Sequence, residues 1–343
     1  MNISIFDCTL RDGGCVNDFE FSSELMSSVE QAVFLGGAEY VELGYLDSKK
    51  GTSSGTSCFR DMDSFIRTFN PRSSDNKCTR FLMIDQGKYD PRDLPERSSN
   101  TSDGIRICFR KDKTAEALET ASIIVSKGYE LFIQPMIVTR YSDEELAELI
   151  RLFEEKVPEY GALYIVDSFG ELDEAEVCSK VLLSDKHIGS GKKIGIHTHN
   201  SRGLCFEHAR KVSKLSLSHD LIIDSTLRGM GKGAGNLPTE DIARYLCDEF
   251  NMGYKTDVFI KTSDRYIAPY QEMFDWRDSE EYRLSAKYSV SPTYIKMICE
   301  RYETDMDILE QIIAAIPSDK KDSFDSAFAG DLCDRFFSLR RVE

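Results

Sequence analysis

The chain has 343 residues, 41% hydrophobic and 30% charged, which is enough apolar material for a large buried core and excludes a disordered or low-complexity protein. Its 43 Lys and Arg against 59 Asp and Glu give a formal net charge of −16, which disfavours general binding to nucleic acid or to an anionic membrane surface. No run approaches the roughly 18 uninterrupted apolar residues of a membrane-spanning helix. The first residues lack a signal-peptide pattern and the ten cysteines are scattered without a CxxC pair, so we expect reduced thiols and a cytoplasmic protein.

Short runs rich in β-branched and aromatic residues alternate with amphipathic helical stretches as far as about residue 250. The predicted strands are 3–7, 40–43, 80–84, 105–109, 131–136, 162–166, 193–199 and 221–224. The predicted helices include 22–35, 114–127, 143–155, 173–183 and 203–215. Ser22, three residues before Leu25, and Ser142, followed by three acidic residues, are typical of helix N-termini.

Eight strands that alternate with helices over some 250 residues match a (β/α)8 TIM barrel, an α/β fold. Periodicity cannot detect closure of the sheet, so a doubly wound open sheet is the alternative. The interval 86–103 is polar, carries two prolines and can hold only a short helix.

After residue 250 the alternation stops, and residues 282–316 have a helical pattern of apolar side chains. We therefore divide the chain into a barrel domain, 1–250, and a mainly helical C-terminal region, 251–343. We expect the C-terminal region to pack on the barrel or against a second copy of the chain, which would make the protein a homodimer.

Two histidines stand two residues apart in the segment GIHTHN, residues 195–200, at the end of the seventh predicted strand. Because side chains alternate along a strand, Gly195, His197 and His199 share one face and apolar neighbours share the other. If the apolar face meets the helices, both imidazoles point into the barrel mouth, where TIM-barrel enzymes have their sites. The pair can hold one metal ion, and the alternative is two hydrogen-bonded core histidines.

Two further segments follow the first and the last predicted strand. Residues 7–14, DCTLRDGG, place Arg11 beside Asp12 at a strand end, either as a metal ligand next to a fixed cation or as a structural salt bridge. Residues 229–236, GMGKGAGN, are a glycine-rich loop that by itself could be a flexible turn or a phosphate cradle. The order of the three segments along the chain is more specific than any one of them.

This combination resembles the DRE-TIM metallolyase superfamily, in which the first strand ends in Arg-Asp-Gly or Arg-Asp-Glu, the seventh carries HxH, and a glycine-rich loop ending in Gly-Asn follows the eighth. The resemblance covers residues 1–250 and is closest to 4-hydroxy-2-oxovalerate aldolase-like proteins, because the glycine-rich loop is compact and Asp167-Ser168 follows the sixth strand. The loop has neither the cysteine of 3-hydroxy-3-methylglutaryl-CoA lyase nor the Glu-Arg pair of isopropylmalate and homocitrate synthases.

The resemblance implies that Asp12, His197 and His199 bind a divalent metal, that Asn236 is a further ligand, and that Arg11 lies beside the ion. It implies a lyase of the aldolase class that makes or breaks the carbon–carbon bond next to a 2-oxo acid such as pyruvate, with an aldehyde as the second reactant. A 2-oxo acid chelates a metal through its carboxylate and keto oxygens, and Arg11 can stabilise the enolate oxygen. Carboxylate and imidazole ligands suit Mn²⁺, our choice, and also Mg²⁺, Co²⁺ or Zn²⁺.

One departure from the aldolase pattern lies at Cys15, where the family has a histidine that moves the proton of the substrate hydroxyl. A thiol with an ordinary pKa near 8.5 is a poor substitute at neutral pH. The base is therefore Cys15, a metal-bound water or a tyrosine, or it is missing. Residues 251–343 also lack the evident C-terminal domain through which the aldolase passes its product to an aldehyde dehydrogenase, so we do not expect that partner.

Glu42, Arg110 and Ser168 follow or end the second, fourth and sixth strands and are candidate substrate-binding residues. A structural ion pair for Glu42 and simple exposure for Arg110 are the alternatives. Two other functions stay open: Claisen-type condensation of an acyl-CoA with a 2-oxo acid, and a metal-binding barrel without aldol activity that serves as a subunit or sensor. Cys15 favours the second of these, and the complete set of metal-binding residues argues against it.

Overall fold

The computed structural model describes residues 1–50, 55–69, 72, 75–274 and 276–340. Within them the sheet has nine strands, all paired in parallel: β1 Ile3–Asp7, β2 Tyr40–Leu46, β3 Cys58–Phe59, β4 Thr79–Asp85, β5 Gly104–Phe109, β6 Glu130–Pro135, β7 Ala162–Asp167, β8 Lys193–Thr198 and β9 Asp220–Ser225. The strand order is β1-β9-β8-β7-β6-β5-β4-β2, and Asp7 of β1 pairs both with Ser225 of β9 and with Val41 of β2. The sheet therefore closes, which confirms the TIM barrel and excludes the open sheet.

Helices cover the outside of the barrel and make up most of the chain after residue 250. The α-helices of the described ranges are α1 Ser23–Gly36, α2 Met62–Phe69, α3 Thr114–Ser126, α4 Asp143–Lys156, α5 Glu174–His187, α6 Cys205–Val212, α7 Thr239–Phe250, α8 Thr256–Thr262, α9 Ala268–Met273, α10 Glu280–Tyr288, α11 Pro292–Arg301, α12 Met306–Ala314, α13 Ser318–Lys321 and α14 Ser326–Arg340. Between β4 and β5 the described chain has only the 3-10 turn Pro91–Asp93, as its polar sequence predicts. None of these helices has both the length and the apolar character needed to cross a bilayer.

Two predicted caps fix where the chain turns from the barrel mouth into an outer helix. The Ser22 hydroxyl accepts from the Leu25 N–H at 3.1 Å and begins α1, directly after the loop that carries Arg11. Ser142 and Glu145 form a reciprocal capping box at the start of α4. These local bonds hold the ends of the loops that line the mouth.

Two layers of side chains fill the barrel, because inward-facing residues recur every second position along each strand. The lower layer is aromatic and comprises Phe6, Tyr40, Phe81, Phe132 and Tyr164. Two residues further along their strands, or on neighbouring strands, buried polar groups form the next layer: Cys8, Glu42, Arg106, Gln134, His197 and Asp224. The polar layer lies directly beneath the carboxyl ends of the strands.

The chain after residue 250 is helical, as predicted, and contributes to two apolar clusters. Phe259, Ile267 and Trp276 belong to the main cluster around the barrel, whereas α10, α11, α12 and α14 contribute to a second cluster that includes Tyr294 and Ile313. The division of the chain at residue 250 stays a prediction, and residues 341–343 of the C-terminal region lie outside the described residues.

The helical region contacts the mouth of the barrel. Arg140, which follows β6, donates from Nε to Asp322 Oδ1 at 3.0 Å and from a terminal nitrogen to the Ser289 carbonyl at 2.9 Å. A Cβ on Gly233 would lie 2.9 Å from Pro292 Cβ, so α11 begins against the glycine-rich loop. The C-terminal helices therefore border the side of the barrel that carries the polar segments.

Candidate active site

The loop after β1 and the end of β8 bring Asp12, His197 and His199 together in the barrel mouth. Asp12 Oδ2 lies 3.0 Å from His197 Nε2 and 3.7 Å from His199 Nε2. All three side chains are buried, and one ligand atom from each lies within 4.8 Å of the others. A carboxylate oxygen and two imidazole nitrogens at this spacing match the donor set of a divalent metal site.

The other nitrogen of each imidazole is held by a hydrogen bond. His199 Nδ1 donates to the Lys232 carbonyl at 3.3 Å, and His197 Nδ1 donates to Asp224 Oδ2 at 2.9 Å. Because these partners accept the Nδ1 protons, Nε2 is the nitrogen of each ring that faces Asp12 and that can bind a metal once it carries no proton. Such outer partners are typical of histidines that bind a metal.

Burial of His199 and the charges around Asp12 favour the metal-binding forms of these two ligands. Burial lowers the pKa of His199 to about 4, so its imidazole is neutral at pH 7. Burial alone would raise the pKa of Asp12, but Arg11 and then the two histidines hold it well below its ordinary value. For His197, burial lowers the pKa, but hydrogen bonds to Asp12 and Asp224 outweigh it and leave the pKa raised.

Asn236 supplies a fourth candidate ligand at the same place. Its Nδ2 donates to Asp12 Oδ2 at 2.9 Å, while its Oδ1 is buried and has no hydrogen-bond partner among the described residues. The glycine-rich loop fixes it there: Asn236 N–H donates to the Gly229 carbonyl at 2.9 Å, and Gly235 adopts a φ of 81°, which favours glycine. A buried amide oxygen without a partner, on a side chain that contacts Asp12, fits a further metal ligand.

Arg11 lies beside the cluster with one donor free. Its Nε donates to Glu42 Oε2 at 2.6 Å, and one terminal nitrogen lies 3.4 Å from Asp12 Oδ2. The other terminal nitrogen is buried without a hydrogen-bond partner among the described residues. The guanidinium is therefore held rigidly while keeping N–H groups for an anionic oxygen.

Cys15 ends the 3-10 turn Gly13–Cys15 that follows Asp12, and its side chain is half-buried. Burial, and next the charge of Asp12, raise the pKa of the Cys15 thiol to about 12, against the opposing charge of Lys232. The thiol is therefore protonated at neutral pH.

The three candidate substrate-binding residues occupy different environments. Glu42 is completely buried beneath Arg11, in the ion pair already described. The Ser168 hydroxyl accepts from the Ile137 N–H at 2.9 Å and so fixes the loop after β6. Arg110 follows β5 and is exposed. Its charge acts on Asp85: burial raises the pKa of that carboxyl, and the charges of Lys88 and then Arg110 partly offset the increase.

The cluster also adjoins three residues for which the sequence predicted no role: Arg106, Asp224 and Lys232. Arg106 and Asp224 are charged residues within otherwise apolar strand runs, and that break in an apolar pattern is the signal that could have identified them. Lys232 stands inside the glycine-rich loop, and burial lowers its pKa against the charges of Cys15 and Asp12.

Known proteins resemble this chain over most of its length. No protein-family model matches it. It is 27% identical to the 4-hydroxy-2-oxovalerate aldolase of Geobacillus genomosp. 3 over 313 residues, which cover 88% of each chain. It is also 27% identical to the aldolase of the same name from Thermus thermophilus over 309 residues, 88% of this chain and 86% of the relative.

Solved structures share its fold. The N-terminal domain of an aldolase candidate from Bacteroides vulgatus superimposes with a TM-score of 0.75 at 22% identity, covering 87% of this chain and 97% of that one. The HMG-CoA lyase of Bacillus subtilis gives a TM-score of 0.62 at 14% identity, covering 82% of this chain and 97% of that one. The chain is thus a carbon–carbon lyase of the aldolase class, similar in sequence to the 4-hydroxy-2-oxovalerate aldolases and in fold to HMG-CoA lyase.

Proposed function

We propose that this lyase uses a divalent ion held by Asp12, His197 and His199, with Asn236 as a further ligand, and acts on a 2-oxo acid of the pyruvate type and an aldehyde. The observation that carries the proposal is the pair of Nε2 atoms directed at the Asp12 carboxylate while both Nδ1 atoms are engaged elsewhere. The name of the relatives, which denotes a 4-hydroxy-2-oxo acid, supports the substrate class.

The proposed chemistry needs a stabilised enolate. Aldol cleavage removes the hydroxyl proton of a 4-hydroxy-2-oxo acid and breaks the bond between C3 and C4. C4 leaves as the aldehyde, and the electron pair of the broken bond passes to the enolate of the 2-oxo acid. Bound in the site, the ion would supply Lewis-acid polarisation of the C2 carbonyl; we propose Mn²⁺, with Mg²⁺, Co²⁺ and Zn²⁺ as alternatives. Arg11 directs its free N–H groups at the oxygen that gains charge, and Glu42 holds it in place.

We assign Cys15 a role in shaping the pocket. The Cys15 thiol holds its proton, and the side chain is smaller than the histidine of the aldolase pattern, which leaves room for a bulkier or more polar aldehyde. Ser168 and Arg110 stay proposed substrate contacts at the rim. The proton of the substrate hydroxyl then passes to a tyrosine or to water.

The test is turnover of the full chain after its metal has been removed with a chelator. When Mn²⁺ is added back, the protein should release pyruvate from a panel of 4-hydroxy-2-oxo acids. It should also consume pyruvate in the presence of aldehydes. Free thiol released from an acyl-CoA and a 2-oxo acid would instead support the condensing enzyme. Metal binding without either reaction would support a barrel that serves as a subunit or sensor and would overturn the aldolase.

We also propose a homodimer in the cytoplasm and a division of the chain near residue 250. Light scattering of the full chain tests the dimer, cell fractionation tests the location, and limited proteolysis tests the division. An aldehyde dehydrogenase partner is not part of the proposal.

A further inference from the structure

Arg106 is completely buried in the middle of the barrel and contacts groups from several strands. Its guanidinium lies 4.2 Å from the ring centroid of Phe6 and 4.4 Å from that of Tyr164, so aromatic faces of the lower layer contact it. Gln134 on β6, with its amide oxygen turned toward the guanidinium, accepts from Arg106 Nε at 2.9 Å. This packing leaves the two terminal nitrogens directed at the polar layer.

Those two nitrogens bind two different carboxylates. One lies 3.2 Å from Glu42 Oε2 on β2, and the other donates to Asp224 Oδ2 on β9. The same Glu42 oxygen accepts from Arg11 Nε at 2.6 Å, and the same Asp224 oxygen accepts from His197 Nδ1 at 2.9 Å. A single carboxylate therefore separates Arg106 from the proposed oxyanion donor, Arg11, and another separates it from a proposed metal ligand, His197.

We propose that Arg106 is a positioning residue that sets the two halves of the site relative to each other, through Asp224 on the metal side and through Glu42 on the Arg11 side. This inference rests on the proposed function. It concerns the geometry of the site and assigns Arg106 no contact with substrate.

Burial explains why the cation that the two carboxylates share matters, although Glu42 also bonds to Arg11 and Asp224 to His197. Glu42 and Asp224 are almost fully removed from water, and two buried carboxylates without a shared cation would repel each other and lose their fixed orientation. The planar guanidinium presents several N–H groups in a fixed fork and can bond to both at once. A lysine ammonium brings the same charge but is a flexible point donor.

The test compares Arg106→Met with the wild-type chain in two measurements, the Kd of Mn²⁺ for the chelator-treated protein and kcat on the best substrate found. Removing an outer partner of a metal ligand typically weakens metal binding about 10–100-fold. We expect a loss of about tenfold for Arg106→Met, at the low end of this range because Arg106 acts on the ligand His197 through Asp224, together with a fall in kcat. Arg106→Lys should have an intermediate phenotype. The double variant Arg106→Met/Asp224→Asn should bind Mn²⁺ no more weakly than Asp224→Asn alone, because Arg106 acts on His197 only through Asp224.

Arg80→Met is the matched control. Arg80 is a buried arginine on β4 whose Nε lies 2.6 Å from Glu30 Oε1 on α1, away from the cluster. Its loss should lower the unfolding temperature and leave the Kd of Mn²⁺ unchanged. If Arg106→Met also lowers the unfolding temperature and leaves the Kd of Mn²⁺ unchanged, Arg106 is only structural and the inference is wrong. A wild-type chain that binds no metal would instead overturn the proposed function.

Two single changes decide the matter if Arg106→Met does not fold. Asp224→Asn should weaken Mn²⁺ binding, because it alters the metal side only. Glu42→Gln should lower kcat while the Kd of Mn²⁺ stays within about twofold of the wild type, because it alters the Arg11 side only. Identical profiles for the two variants would overturn the inference.

Discussion

A Cβ on Gly195 would lie less than 3.0 Å from three atoms of the Tyr164 ring on the neighbouring strand. The two residues are register partners on β8 and β7, so the ring occupies the space of the missing side chain. That ring contacts the Arg106 guanidinium, while His197 follows Gly195 by two positions on the same face. The glycine of the GIHTHN segment therefore makes room for the aromatic layer, against which the polar layer packs.

Gly195→Ala should destabilise the protein, because inserting a methyl group into a packed interior typically costs about 1–3 kcal/mol. Chemical denaturation measures the change. Gly253→Ala is the matched control, since its Cβ would meet nothing within 4 Å, and it should change the free energy of unfolding by less than about 0.5 kcal/mol. Equal stability of the two variants would show that the Tyr164 ring can move aside freely.

His197→Ala and Asp12→Asn should each largely abolish binding of one divalent ion per chain, because each removes a ligand that no neighbour replaces. Elemental analysis and Mn²⁺ titration of chelator-treated protein measure the loss. His219→Ala, which removes a histidine bonded to Asp185 away from the cluster, should bind metal normally. Native protein that contains no metal and takes up none would contradict the ligand assignment.

Arg11→Ala and Arg11→Lys should fold and bind Mn²⁺ yet lose turnover. A donor that stabilises a developing oxyanion is typically worth roughly 10²–10³ in kcat, and lysine cannot reproduce the fork that also bonds Glu42. Steady-state kinetics and thermal unfolding separate the two effects. Near-native kcat in either variant would show that Arg11 is only structural.

Cys15→Ser should keep most of the activity between pH 6 and pH 9. With a pKa of about 12, the thiol is ionised to the extent of only on the order of 10⁻⁵ at pH 7, and a thiolate base would make kcat rise about tenfold per pH unit. Cys15→His should retain or raise cleavage of simple 4-hydroxy-2-oxo acids. A collapse of activity in Cys15→Ser at every pH would identify the thiol as the base.

Ionisation of the Asp7 carboxyl should lower the free energy of unfolding as pH rises from about 4 to 6. Burial raises its pKa in the folded chain from 3.8 to about 6, against hydrogen bonds from Thr9 and Thr239, and the charge of Glu240 adds to the increase. The folded state therefore binds more protons than the unfolded state in this interval, and ionisation above it costs at most about 3 kcal/mol.

Asp7→Asn removes this titration and retains an acceptor for the Thr9 N–H. The variant should gain stability relative to the wild type as pH rises from 4 to 6, and the difference should be constant above pH 7. Denaturation of both chelator-treated proteins across this range provides the measurement. Parallel pH profiles would contradict the raised pKa of Asp7.

The sequence alone determined the features that depend on neighbouring residues. Strand and helix periodicity predicted all eight barrel strands, and the two-residue spacing of His197 and His199 placed both on one face, because side chains alternate along a strand whatever its partners. Ser22 and Ser142 marked the starts of two helices through bonds only three residues long.

Only the tertiary structure decided which residues meet across the barrel. Arg106 contacts Glu42 and Asp224, which lie 64 and 118 residues away along the chain. Pairing of β1 with β2 closes the barrel and sets the register that brings these residues into one layer. Burial then decided that Glu42 pairs with arginines and that the Cys15 thiol keeps its proton, because desolvation depends on the packed neighbours and not on the residue itself.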